Sequence, residues 1–290
     1  MKAAPFAYHR PDTVEEAVKL LGEYGDDAKV LAGGQSLVPM LAMRLTYFEN
    51  LIDISRLDEL RCIDLADGEV HIGAATPHAF VGMDDEVADS VPLLTLATPY
   101  IGHFQIRSRG TLGGAIAHAD PAAEYAAVAL ALDAQMEAAS PRGRRRIPAA
   151  EFFTGLWETS LASDEILTSV RFPVWSGRCG YSVHEFARRH GDFAIAGAVV
   201  AVQIDDDRVS RCGIGLLGVG STPRRASTAE QAIVGTPVSE LTPEAIGELA
   251  MSGLDDIPAD LQGSAAYRRR VGAAMVARAW TQASTEALNA

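Results

Sequence analysis

Val30-Leu31-Ala32-Gly33-Gly34-Gln35-Ser36-Leu37-Val38-Pro39 reads as a strand, a glycine turn and a helix in quick succession. Residues 28–32 are short and apolar, as a buried strand requires. Gly33 and Gly34 strip side chains from the turn and expose backbone N–H groups. Residues 37–45 suit a helix, with Pro39 tolerated in its first turn. A helix N-terminus and unpaired amides then point at one spot, which suits a phosphate. The same residues also make an ordinary strand-to-helix turn, and on this stretch alone both readings stand. No Gly-Lys-Ser/Thr follows, so this is not a Walker A loop. Nor is it GxGxxG, so a Rossmann dinucleotide fold is not supported.

A second glycine pair follows in Gly110-Thr111-Leu112-Gly113-Gly114-Ala115. Residues 105–114 are rich in Gly and Arg and read as loop. Two such segments suggest a long, two-ended anionic ligand such as a dinucleotide. Arg107 and Arg109 stand ready for an anion or for ordinary surface pairing. His118 and Asp120 lie two apart, a spacing that reads as a capped loop rather than a metal site. Asp120 and Pro121 are expected to open a helix, as N-cap and first helical residue, running to about 132. Bulk at Gly33, Gly34, Gly113 or Gly114 is expected to remove the ligand before it removes the fold.

Outward from these loops the pattern is α+β. Residues 12–22 predict a helix, with Thr13 and Glu16 in capping-box spacing. Strands are expected at 51–54, 60–66 and 69–73, the last two joined at Asp67-Gly68. Helices follow at 76–81 and 91–101. Strands return at 134–139, 144–147 and 165–172. Composition shifts near 173–180, where Trp175-Ser176-Gly177 marks an expected boundary. Beyond it, 182–188, 194–204 and 208–218 read as an antiparallel meander turned at Asp205-Asp206-Asp207. Helices follow at 228–234, 243–252 and 263–286.

Composition narrows the function. The chain has 290 residues, a formal net charge of −13 and 48% hydrophobic residues. So acidic a balance argues against nucleic acid or an anionic membrane as partner. An anionic ligand must then be held by local backbone dipoles. Cys62, Cys179 and Cys212 form no CxxC and are too few for a four-thiolate iron–sulfur cluster. They fit a reducing, cytoplasmic location. No signal peptide or membrane span is read. No nucleophile elbow, HExxH or catalytic carboxylate pair appears, so no catalytic residue is assigned. Chemistry here must be carried by a cofactor.

The quoted stretches, with Leu51-Ile52-Asp53-Ile54, Gln105-Ile106-Arg107, Ala117-His118-Ala119-Asp120-Pro121-Ala122 and Arg188-Arg189-His190-Gly191-Asp192-Phe193-Ala194, carry a resemblance. In order and spacing the chain resembles the FAD-binding medium subunits of molybdenum hydroxylases, the group of carbon monoxide dehydrogenase and xanthine dehydrogenase. The resemblance covers almost the whole length. It implies a vanillyl-alcohol-oxidase-type (PCMH-like) FAD-binding domain over 1–176 and a small C-terminal domain of antiparallel strands and helices over 177–290.

It also implies a site and a role. The FAD pyrophosphate is expected against Leu31, Ala32, Gly33, Gly34, Gln35, Ser36 and Leu37, and against Thr111, Gly113, Gly114 and Ala115. Ile101 and Leu167 are expected at the flavin, and Glu124 where an acidic residue contacts the cofactor. No metal is assigned to this chain. The molybdenum cofactor belongs to a large partner subunit and two [2Fe–2S] clusters to a small one, in a dimer of heterotrimers. FAD would join the one-electron clusters to a two-electron acceptor. Gln35 stands where some members have His. Ala115 replaces a polar residue, often Asn, and so removes one side-chain hydrogen bond, leaving that half of the site to backbone amides. Residues 182–187 lack a Lys that several members place near the flavin, and His184 and Glu185 stand there instead. The competing readings are a flavin-free scaffold subunit and a free-standing flavin oxidase.

Overall fold

Apolar strand runs, Asp-Gly turns and amphipathic helices assemble into three sheets and a small hairpin. The computed structural model describes residues 2–290. The first sheet is parallel, with β1 (Ala7–His9), β2 (Ala28–Leu31) and β3 (Asn50–Asp53) in the order β1-β3-β2. The short β1 has no sequence signal of its own and is recruited by pairing with β3. The helix Val14–Tyr24 covers this sheet with Val14, Ala17, Val18 and Leu21. Thr13 caps it by accepting from the Glu16 amide, but Glu16 reaches back to the Asp12 amide rather than to Thr13.

The second sheet is antiparallel. Its strands are β4 (Ile63–Ala66), β5 (Glu69–Gly73), β6 (Gln135–Ser140), β7 (Gly143–Pro148) and, after a hairpin of β8 (Phe153–Gly155) and β9 (Glu158–Thr159), β10 (Ile166–Pro173). They lie in the order β4-β5-β10-β6-β7. The chain then passes to a third sheet of β11 (Cys179–Phe186), β12 (Ala196–Asp205), β13 (Arg208–Leu217) and β14 (Arg224–Arg225), in chain order.

The period-2 pattern of β12 separates two cores. Ala196, Ala198, Val200 and Val202 face the long helix Ala265–Asn289 through Trp280. Val199 and Ala201 face the other way and join the core that holds the helix Glu124–Ala131. That helix lies directly on β13, because Gly213 and Gly215 carry no side chain. A Cβ on them would meet Ala131 O at 1.9 Å and Ala127 O at 2.2 Å. The two halves of the chain therefore share the first of these cores.

Three expectations change. Residues 105–114 are not a plain loop. They include the end of a short helix, Phe104–Arg107, and the start of another, Leu112–His118. Gly113 and Gly114 thus lie in a first helical turn, where the Thr111 hydroxyl accepts from the Gly114 amide. Asp120 and Pro121 do not open a helix. Asp120 Oδ1 accepts from the Ala122 amide in a turn, and the helix starts at Glu124 with Ala123 as N-cap. The span 91–101 divides into Pro92–Ala97 and a tighter turn, Thr98–Tyr100, because Pro99 removes a helical donor. Among the described residues no helix is long and apolar enough to cross a membrane.

Candidate functional site: a cleft between the two glycine segments

The two glycine pairs, far apart in sequence, touch. A Cβ on Gly33 would lie 2.1 Å from Arg109 O and 2.6 Å from the Gly110 Cα, so backbone meets backbone there. Gly34 sits at φ 71°, in the left-handed region that a side chain strains. The turn they form leaves donors without acceptors. The amides of Gly33, Gly34, Gln35, Ser36 and Leu37 make no hydrogen bond to a protein acceptor among the described residues. The Gln35 side chain folds back to donate to Gly33 O at 2.9 Å. Ser36 makes no side-chain cap to the helix Leu37–Met43 that follows. Five consecutive free amides at a helix start make an anion-binding nest.

The second segment behaves differently. Leu112 N donates to Thr76 O, Gly113 N to Ala74 O, Gly114 N to Thr111 Oγ1 and Ala115 N to Thr111 O. The expectation that backbone amides compensate for Ala115 is therefore corrected: those amides are already engaged by capping and packing. Gly113 is likewise a packing glycine, since a Cβ there would lie 2.3 Å from that of Ala74.

Beside the nest opens a cleft of about 650 Å³, within the range of small-molecule and cofactor sites. Ala32 to Leu37 form one rim, and Thr111, Gly113, Gly114 and Ala115 form the facing one. Ile101, Leu167 and Glu124 also reach its wall. Leu31 is the one expected residue that does not line it. Its Cδ1 lies under Gly34, where a Cβ would meet it at 3.2 Å, so it supports the turn from below. Leu167 is placed by a bulge where the β10–β6 register shifts.

One further wall residue carried no local sequence signal. Trp157, at φ 58° in the β8–β9 turn, stacks on His118 with ring centroids 6.2 Å apart. Its indole N–H donates to Asp120 Oδ2 at 3.2 Å. Asp120 is thus engaged by a turn and an indole. Phe193 lies on the wall with 64% of its surface exposed. Its loop is seated by Gly191, at φ 86°, against Gly102 O and the His103 ring. Arg107 Nη1 donates to Ile101 O and Gly102 O, both at 3.0 Å. It fixes the turn that presents Ile101.

Two ionisable groups of the wall, Glu124 and His78, are shifted toward their neutral forms. Burial pushes the Glu124 carboxyl up to about 8, and nearby Glu185 adds to the shift. Burial likewise pushes Glu185 up to about 7, and its Oε2 has no protein partner. Burial, with Arg107, pushes His78 down to about 4, so its imidazole is neutral. In the segment without the Lys, His184 Nε2 lies 3.1 Å from Gln282 Oε1, tied to the C-terminal helix.

Residues 4–175 match the FAD binding domain in molybdopterin dehydrogenase, and residues 181–283 match the CO dehydrogenase flavoprotein C-terminal domain. The chain belongs to the FAD-binding subunits of the molybdopterin dehydrogenases. Relatives in this family agree along the whole length. The 6-hydroxypseudooxynicotine dehydrogenase complex subunit alpha of Paenarthrobacter nicotinovorans is 41% identical over 98% of this chain and 96% of its own. The carbon monoxide dehydrogenase medium chain of Hydrogenophaga pseudoflava is 36% identical over 94% of this chain and 95% of its own. Carbon monoxide dehydrogenase from the same organism, solved without the Mo-pyranopterin moiety, superposes with a TM-score of 0.96 at 37% identity, covering 99% of both chains. Quinoline 2-oxidoreductase from Pseudomonas putida 86 superposes at 0.93 with 34% identity, covering 99% of this chain and all of that one. The α+β architecture, the FAD-binding domain and the role as an oxidoreductase subunit follow from this membership. The cleft fits the cofactor on its own terms: a nest of free amides for the pyrophosphate and an apolar wall for the ring.

Proposed function

We propose that this chain is the electron exit of a larger molybdenum hydroxylase, taking electrons from [2Fe–2S] clusters on a small partner subunit and passing them to an external acceptor. The observation that carries the reading is the nest of five free amides opening on the 650 Å³ cleft, in a chain with too few cysteines for a cluster of its own. FAD, when bound, supplies both one-electron and two-electron chemistry.

The chain's residues do the holding. Amides 33–37 take the pyrophosphate, Thr111 and Ala115 flank it, and Ile101 and Leu167 pack against the ring. Glu124, kept protonated at neutral pH, presents a carboxylic O–H instead of a charge that would repel electron-rich cofactor atoms. We further propose a division into two domains at residues 176–177, a cytoplasmic location, and assembly with large and small subunits as a dimer of heterotrimers.

The test is purification of the chain alone and with its partners. The expected result is a yellow protein that releases FAD, and a complex whose substrate reduces that FAD only when the iron–sulfur subunit is present. A colourless chain that takes up no FAD overturns the reading, as does turnover of an organic substrate by the isolated chain.

A further inference from the structure

Away from the cleft, the β4–β5 hairpin gathers a second set of reactive groups. Cys62 immediately precedes β4, Asp64 lies within it, and His71 is the register partner of Asp64 on β5. Positions 62 and 64 point to one side of the strand. A sulfur, a carboxylate oxygen and an imidazole nitrogen consequently lie within 4.8 Å of one another. Cys62 is a free thiol, half-buried like His71, while Asp64 is exposed and leaves the cluster open to solvent. His71 Nε2 is closed off from water and has no hydrogen-bond partner. Its charged neighbour is Glu137 Oε2 at 3.5 Å. Binding of FAD uses none of these groups.

We propose that Cys62, Asp64 and His71 form a site for a thiophilic divalent cation of the zinc type, with Glu137 supporting the imidazole from behind. One sulfur, one nitrogen and one oxygen with a fourth position left to water is a zinc ligand set. The sulfur disfavours magnesium and calcium, which take oxygen ligands. Thiolate and carboxylate together balance the two charges of the ion. Glu137 is itself held by Ser169 Oγ at 2.8 Å and Arg171 at 3.4 Å. With Nε2 turned to that carboxylate, the other ring nitrogen of His71 is left for the ion, the usual arrangement for a ligating imidazole. On binding, the Cys62 S–H bond breaks, a sulfur–metal bond forms, and the proton leaves to solvent. The hairpin leads directly to the cleft: Gly73 N donates to Cys62 O at 2.9 Å, and the next residue, Ala74, seats Gly113.

The test uses the full chain, stripped with a chelator and titrated with Zn²⁺ alone and with Co²⁺ alone. The expected result is one ion per chain, a higher melting temperature, and a Co²⁺ spectrum with thiolate charge-transfer absorption. Cys62→Ser and His71→Gln should each weaken Zn²⁺ binding more than about tenfold while FAD content is unchanged. The wild-type Co²⁺ spectrum decides independently of how the variants fold: absence of the thiolate band overturns the site. So does stoichiometric binding that survives both substitutions.

Discussion

Gly33, Gly34 and Gly113 look alike in the sequence and do different work. Gly33 and Gly113 are needed because backbone or a Cβ occupies the space a side chain would take. Gly34 is needed because of its φ of 71°. The expectation that bulk at all of these positions removes the ligand first is therefore corrected for Gly33 and Gly113. Gly33→Ala should destabilise the cofactor-free chain by about 1–3 kcal/mol or more through overpacking. Gly34→Ala should lose about 1–2 kcal/mol through strain and should distort the free-amide nest. Thermal melts of the apo chain, set beside FAD titrations, separate the two. Undiminished FAD affinity in folded Gly34→Ala would contradict this division. Glu124 makes a second residue-scale prediction. Its folded value of about 8 lies above the ordinary 4.5, so the native state keeps a proton that the unfolded chain releases. The contribution of Glu124 to stability is full below about 4.5 and falls as pH rises toward 8. Glu124→Gln should flatten this fall, measured as apo melting temperature on either side of the window.

At the scale of elements, the Leu112–His118 helix explains why its segment was misread. Gly-Gly and flanking arginines carry the composition of a loop. A helix forms there nonetheless, because Thr111 caps it and Leu112 and Ile116 are buried. The cap and this burial outweigh the poor helix propensity of the two glycines in its first turn. Thr111→Ala should remove about 1 kcal/mol of stability. Urea unfolding checks it: the midpoint should fall while the slope stays constant. The Val14–Tyr24 helix, by contrast, was legible from its cap and its apolar stripe alone. The 28–31 strand and the 37–43 helix were equally plain, since local chemistry and packing agree there. The β8–β9 hairpin was not, because a left-handed Trp157 has no composition that announces it.

For the whole molecule, the helix Glu124–Ala131 is the joint. Its first residue reaches the cleft, and its body rests on β13 through Gly213 and Gly215. A Cβ at Gly213 would have to displace Ala131 O, 1.9 Å away. Gly213→Ala should therefore lower melting temperature and FAD affinity together. Gly180→Ala meets Ala283 O at the same distance on the C-terminal helix. It should lower melting temperature while the folded fraction binds FAD normally. Calorimetric FAD titration well below the melting temperature tests the contrast, and wild-type affinity in Gly213→Ala would refute it.

By itself, the sequence determined the strand–turn–helix at 30–39, the period-2 meander and the family to which these motifs belong. Those features are local or ordered along the chain, and side-chain periodicity and glycine spacing record them. Only the tertiary structure decided which amides stay free. Residues 33–37 keep theirs, while Gly113, Gly114 and Ala115 give theirs to Ala74 and Thr111. Hydrogen-bond partners come from elements distant in sequence, and a glycine pair carries no mark of what will face it. The same reason hid the placing of Trp157 and Phe193 on one wall and the meeting of Cys62, Asp64 and His71 across a hairpin.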